Sequence, residues 1–325
     1  MKRLAPVGYL LLVGALFLAG DRSLSYALDQ VVTHSQFRFS RVYHGGLDAD
    51  VLVVGDSRAV HSIFAPELGK RLCRPVFNMG FNGMSTEIAE ALVRDYLDRN
   101  APPKAVLIEV SNVTRDNALL SEMRLYAEPG SHMAELLERE EPRTRLWLTL
   151  SHLYAFDDEL MLRAAYNLHR SDQDWVLAEG AGMSPQVIAK LSPGRYPPLV
   201  ARPANVAALQ RLVRDLGERG IAVIPFIAPY HPVYETLVPH LDRFVRQLQA
   251  EIGTGTGIVD LSRALTENDD FADVVHVNLR GSLAVTDRLA ERLEPTLPRE
   301  TARECPADPA IATGSSRSPL AAAKD

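Results

Sequence analysis

The sequence predicts an α/β fold: a three-layer sandwich with a parallel five-stranded sheet between two layers of helices. Three observations carry this prediction. Short apolar runs at 51–54, 75–78, 105–110, 221–228 and 258–259 recur between amphipathic stretches at 86–99, 205–219, 233–250 and 281–293. The runs are apolar without alternation, as in strands buried on both faces. Their spacing from the amphipathic stretches is that of βαβ units, whose right-handed crossovers lay helices over both faces of one sheet. The 325 residues, 46% of them hydrophobic, supply enough apolar material for one large core.

The elements follow in chain order. Lys2 and Arg3 precede a charge-free run over 4–20, which Asp21 and Arg22 close. As a helix that run reaches about 25 Å, against a hydrocarbon core of about 30 Å. Pro6, Gly8 and Gly14 lie within it, and membrane helices tolerate both residue types. A charged head, a Leu-rich centre and the following Ser25-Tyr26-Ala27 suit a cleaved signal peptide as well as an anchor. Residues 1–27 are therefore read as one or the other, and the positive head argues against a buried soluble helix. Either way, the positive-inside rule puts the body outside the cytoplasmic membrane, in a periplasmic or other extracytoplasmic space.

Residues 28–298 form the body. Between its third and fourth strands, residues 114–203 show no strand pattern but carry helical patterns near 133–139 and 154–168, with Trp147 and Trp175. This is a helical insertion, serving as a lid or as ordinary packing. Residues 299–325, ending in ATGSSRSPLAAAKD, cannot bury enough apolar surface to order themselves and are expected to form a disordered tail. A net charge of −6 and the absence of a basic run in the body give nucleic-acid binding no support. Cys73 and Cys305 have no metal-ligand spacing; a disulfide between them and two separate thiols both remain open.

In open α/β sheets reactive groups gather at the carboxyl ends of the strands. The first strand runs into Gly55-Asp56-Ser57, and the second into NMGFNGMST with Gly80, Asn82 and Gly83. The third is followed by Asn112, and the last by DVVHVNLRGS with Asp273 and His276. A serine hydroxyl needs a base to take its proton and donors for the oxyanion it creates. Ser57 is the expected nucleophile and His276 the base, with Asp273 bonded to the other ring nitrogen. The amides of Ser57 and Gly83 and the side chain of Asn112 make the expected oxyanion hole. Arg58 and His231 are candidate substrate contacts, and His61 lies one helical turn past Ser57. Asn278 and Gly281 are expected to shape the turn into the final helix.

This set resembles the SGNH (GDSL-type) hydrolase superfamily, whose blocks contribute Ser, Gly, Asn and His. VVGDSRAV resembles the first block, NMGFNGMS the second, VLIEVSN the third, and DVVHVNLRGSLAVTDRLAERL the last, helix included. The likeness covers about 49–113 and 220–293. The family's third block is usually Gly-x-Asn-Asp, whereas Ser111-Asn112-Val113 lacks the glycine and the aspartate. Val274 and Val277 stand where the last block more often has glycine and proline, and the Asp-to-His spacing is unchanged. The apolar amino-terminal segment, GDSR and the late D-x-x-H-x-N-x-x-G together are similar to bacterial membrane-anchored envelope members.

The resemblance implies a flavodoxin-like SGNH fold and an exported serine esterase or O-acyltransferase. Its substrate would be an acyl, above all acetyl, ester of cell-envelope or extracellular polysaccharide, handled alongside envelope-polymer biosynthesis partners. No metal or organic cofactor is implied. Two rival readings are a lipid-directed lipase or thioesterase, and a non-catalytic polymer-binding assembly protein that keeps the fold.

Overall fold

Five strands lie side by side: β1 Val51–Val54, β2 Val76–Asn78, β3 Ala105–Glu109, β4 Ala222–Ile227 and β5 Val259–Asp260. The computed structural model describes residues 4–173, 182–252 and 257–297. All four pairings are parallel, and the spatial order is β2-β1-β3-β4-β5. This is the doubly wound order of flavodoxin-like sheets, with its topological switch point between β1 and β3. Register sets Val53 of β1 beside Asn78 of β2 on one side and Leu107 of β3 on the other.

Why these runs form the interior follows from their faces. Val51 and Val53 join one apolar cluster, with Leu107, Phe226 and the final-helix residues Val285 and Leu289. Leu52 and Val54 point the other way, into a cluster with Ile108, Ile88, Leu92 and Leu212. Alternate side chains of a strand face opposite sides, so a strand covered on both faces must be apolar throughout. Helices Ala65–Leu72 and Leu279–Leu293 cover the first face, and Thr86–Arg99 with Pro203–Glu218 the second.

Two expected helices are interrupted. The stretch 233–250 divides into Tyr234–Leu237 and Leu241–Ile252. Pro239 cannot donate to a helix, and His240 takes a left-handed φ of 63°. The stretch 154–168 begins as a 3₁₀ turn, His152–Phe156, and restarts as helix Glu159–Tyr166. Asp158 caps the restart by accepting from the amides of Leu160 and Met161.

The insertion is helical among its described residues. Its Met133, Leu136, Leu137, Leu160 and Ala164 belong to the same apolar cluster as Leu52 and Val54. It is therefore packed on the body rather than hung over it as a separate lid.

The amino-terminal helix runs unbroken as Leu4–His34, long and apolar enough to cross a membrane. Leu10, Leu11, Leu16 and Phe17 stand exposed, whereas Asp21, Ser25 and Val32 are buried against the body. Its second half packs on helices Arg38–His44 and Glu159–Tyr166 and on the turn His152–Phe156. Cys73 is buried and caps helix Ala65–Leu72 in the left-handed region, at φ 53°. Cys305, Trp175 and the tail expected at 299–325 lie outside the described residues.

Candidate active site

Ser57 is placed by the end of β1. Gly55 follows the strand at φ 146°, and a Cβ there would meet Glu109 Cβ at 2.8 Å and Ala59 Cβ at 2.9 Å. Only glycine lets the chain turn that close to β3. Asp56 then caps helix Ser57–Ser62, its carboxylate accepting from the Arg58 amide at 2.9 Å and from Arg115 Nε at 2.7 Å. Ser57 becomes the first helical residue, above the switch point of the sheet. The loop after β2 is laced to this turn: Phe81 N donates to Gly55 O at 3.1 Å, and Asn78 Nδ2 donates to Ala59 O at 3.1 Å.

His276 arrives from the other end of the chain. Phe271 and Val277 bridge antiparallel, and the amides of Ala272 and Asp273 both donate to His276 O, at 3.0 and 3.3 Å. This tight turn sets Asp273 Oδ2 2.8 Å from His276 Nδ1, and His276 Nε2 2.8 Å from Ser57 Oγ. Asp273 Oδ1 accepts from the amides of Val275 and His276, each at 2.8 Å. Burial pushes the Asp273 carboxyl up, but the His276 bond and charge and those two amides outweigh it, leaving its pKa below the ordinary value. An ionised Asp273 can only accept, so His276 carries its proton on Nδ1. Its Nε2 is then bare and accepts from the Ser57 hydroxyl.

The three expected oxyanion donors are all unspent. Among the described residues the amides of Ser57 and Gly83 have no hydrogen-bond partner, nor does Asn112 Nδ2. In the same loop, by contrast, Gly80 N is committed to Asn78 Oδ1 at 2.9 Å and Met84 N to Phe81 O at 3.1 Å. Thr86 Oγ1 donates to Asn112 Oδ1 at 2.9 Å, which fixes the amide so that its NH₂ is the group left over. Asn112 is nevertheless wholly buried. It meets the hydrogen-bonding condition for the role but not the exposure condition.

Two expected substrate contacts are spent internally. Arg58 is buried and donates to Glu109, to Val275 O and to Ala228 O, with its guanidinium 3.5 Å over the Tyr230 ring. It braces helix Ser57–Ser62 against β3 and the His276 turn. His231 is buried as well: Val233 N donates to its Nδ1 at 3.1 Å, so its Nε2 carries the proton and donates to Asn268 Oδ1 at 2.9 Å. Its own amide donates to Val274 O at 3.1 Å, tying the loop after β4 to the Asp273–His276 turn. Burial holds the His231 pKa down, against the opposing effect of Asn268. Both residues are buried and hold the elements around Ser57 and His276 together.

His61 does reach the site. Its ring stands edge-to-face on His276, with centroids 5.4 Å apart. Burial first and the neighbouring His276 second hold its pKa down to about 3, so it stays neutral beside His276. Glu109 had no role in the sequence reading. It is a fully buried carboxylate ending β3, accepting from Ser111 Oγ at 2.7 Å, Ala228 N at 3.2 Å and Arg58 Nε at 3.4 Å. The signal was a lone carboxylate closing an apolar strand. Asn278 and Gly281 shape the turn as expected. Asn278 caps helix Leu279–Leu293 by accepting from Gly281 N at 3.1 Å, and a Cβ at Gly281 would lie 2.3 Å from Asp270 O.

Asp95, Asp98 and His132 each place a possible metal-ligand atom within 4.8 Å of the others. Asp95 already accepts from Tyr43 Oη at 2.6 Å and from the amides of His132 and Met133 at 2.7 and 3.1 Å. The cluster is explained by the fold and lies among elements remote in sequence from Ser57 and His276. Compared with known proteins, the chain matches no family model and no curated protein.

Proposed function

We propose that this protein is an exported, membrane-attached serine esterase or O-acyltransferase acting on acetyl esters of envelope or extracellular carbohydrate. The observation that carries the proposal is the unbroken run from Asp273 to His276 to Ser57, with both contacts at 2.8 Å. Its position above the switch point of a doubly wound sheet agrees with where such folds work.

In this reading His276 Nε2 takes the proton as Ser57 Oγ bonds to the ester carbonyl carbon. The carbonyl π pair moves onto its oxygen, stabilised by the Ser57 and Gly83 amides and, once substrate opens the way, by Asn112 Nδ2. Collapse breaks the bond to the alkoxy group, which leaves with the His276 proton as an alcohol. Water or a sugar hydroxyl then attacks the acyl-enzyme by the same steps in reverse. Asp273 holds the His276 tautomer throughout.

The membrane part of the proposal rests on the helix Leu4–His34. A cut after Ala27 would fall inside a continuous helix and discard the buried Asp21 and Ser25, so we read residues 4–20 as a retained anchor rather than a cleaved signal.

Chromogenic esters test the activity. Acetyl esters are expected to be cleaved faster than octanoyl esters, because a long chain gains about 0.8 kcal/mol per CH₂ only in a pocket able to bury it. A clear preference for octanoyl would favour the lipid-directed enzyme. If no ester is turned over and no acetyl transfer to oligosaccharide acceptors is seen by mass, the catalytic reading fails.

A further inference from the structure

The charge-free run of the amino-terminal helix ends at Asp21, and Asp21 is where the body is fastened to that helix. Its carboxylate accepts from Ser151 Oγ at 2.5 Å and from the amides of His152 and Leu153 at 2.9 and 3.3 Å. These three residues directly follow helix Pro142–Leu150. That helix turns Thr144 and Leu148, four residues apart, toward the protein. Its other side presents Leu146, Trp147 and Leu150, exposed to 58, 53 and 52%. Arg143 lies one turn before Trp147 on that same side, whereas Arg145, two residues from Trp147, points away from it and is half-buried. Neither arginine has an ion-pair partner among the described residues.

We infer that helix Pro142–Leu150 is an interfacial helix, lying on the bilayer surface with Leu146, Trp147 and Leu150 seated among the lipid headgroups. The inference rests on reading residues 4–20 as a membrane anchor, and it adds a second contact of a different kind. Distance argues for it. Trp147 is four residues before Ser151, about 6 Å of helical rise, and the headgroup zone on each side of a bilayer is about 5–7 Å deep. With Ser151 bonded at the end of the apolar run, Trp147 stays within about 6 Å of the boundary between hydrocarbon and headgroups, and within the headgroup zone when the helix lies flat or leans outward. Chemistry argues for it as well. Tryptophan is enriched at membrane–water interfaces, where its apolar ring and N–H are both satisfied. The unpaired Arg143 beside it attracts anionic headgroups while its stem lies along the acyl boundary. Anchor and interfacial helix together would fix the tilt of the body, and thus the direction in which Ser57 faces, where a single helix would leave it free to rock.

The full-length chain offers a direct probe. It has two tryptophans, so Trp175→Phe leaves Trp147 as the sole indole. The variant is reconstituted into vesicles of phosphatidylcholine with one quarter phosphatidylglycerol, brominated either near the headgroup or near the bilayer centre. Headgroup-proximal bromine is expected to quench Trp147 strongly and central bromine weakly. Adding Leu146→Glu and Leu150→Glu should abolish the quenching and shift the emission to the red. If the protein floats with the vesicles but neither lipid quenches Trp147, the interfacial helix is wrong while the anchor stands. Protection of that unquenched Trp147 from aqueous iodide would assign the face to a second copy of this chain. If the chain fails to float with the vesicles at all, the anchor reading and this inference fall together.

Discussion

The two walls of the candidate site are built differently. The Ser57 wall is a buried frame in which Gly55, Asp56 and Arg58 are locked between β1, β3 and the loop after β2. The His276 wall is a short surface turn, with the Asp273 side chain 51% exposed and that of His276 20% exposed. Ser57 is held by the fold, and His276 by its own local hydrogen bonds. Damage to the first wall should therefore register as lost stability, and damage to the second as lost chemistry in a protein that still folds.

The largest effect is expected at the base. His276→Ala should lower ester turnover by roughly 10⁴-fold or more with little change in the urea midpoint. Asp273→Asn comes next, at roughly 10²–10⁴-fold, because an amide can hold the ring in the wrong tautomer. A comparable loss of stability in either variant would erase the contrast between the walls. Asn112→Ala should cost roughly 10²–10³ in turnover if substrate opens its cavity. An unchanged rate would leave the oxyanion to the two backbone amides.

On the buried wall the readout changes. Gly55→Ala should destabilise the fold by about 2–4 kcal/mol, since a methyl there is both strained and overpacked. Denaturant unfolding measures this, and a shift under half a kcal/mol would show that the frame yields. The smallest effect is a pH dependence. The folded Asp273 pKa lies below its unfolded value, so its stabilising contribution is fully present above about pH 4 and is lost as pH falls through the folded pKa. The stability gap between wild type and Asp273→Asn should narrow in that direction. A gap that widens on acidification would contradict the depressed pKa.

Much of the architecture was legible because burial leaves a plain mark. The unalternated run Val51–Val54 could be little other than a strand covered on both faces, and the Asp273-to-His276 spacing fits within one turn of backbone. What escaped depended on contacts between distant parts of the chain. Arg58 reads as a free cation beside a nucleophile until Glu109, Ala228 and Tyr230 are seen around it. Asp21 reads as the end of a helix, yet the helix continues to His34 because residues 151–153 satisfy its charge. The break at Pro239 was visible in the sequence and was outweighed by the amphipathic pattern on either side.

The central claim is that His276 activates Ser57, and an active-site serine probe tests it most directly. Intact-mass analysis after fluorophosphonate treatment should show one adduct, mapping to the peptide that contains Ser57. The adduct should be absent in Ser57→Ala and strongly slowed in His276→Ala, with both variants folded. An adduct that persists in Ser57→Ala, or labelling of Ser57 that proceeds equally well without His276, would contradict the account.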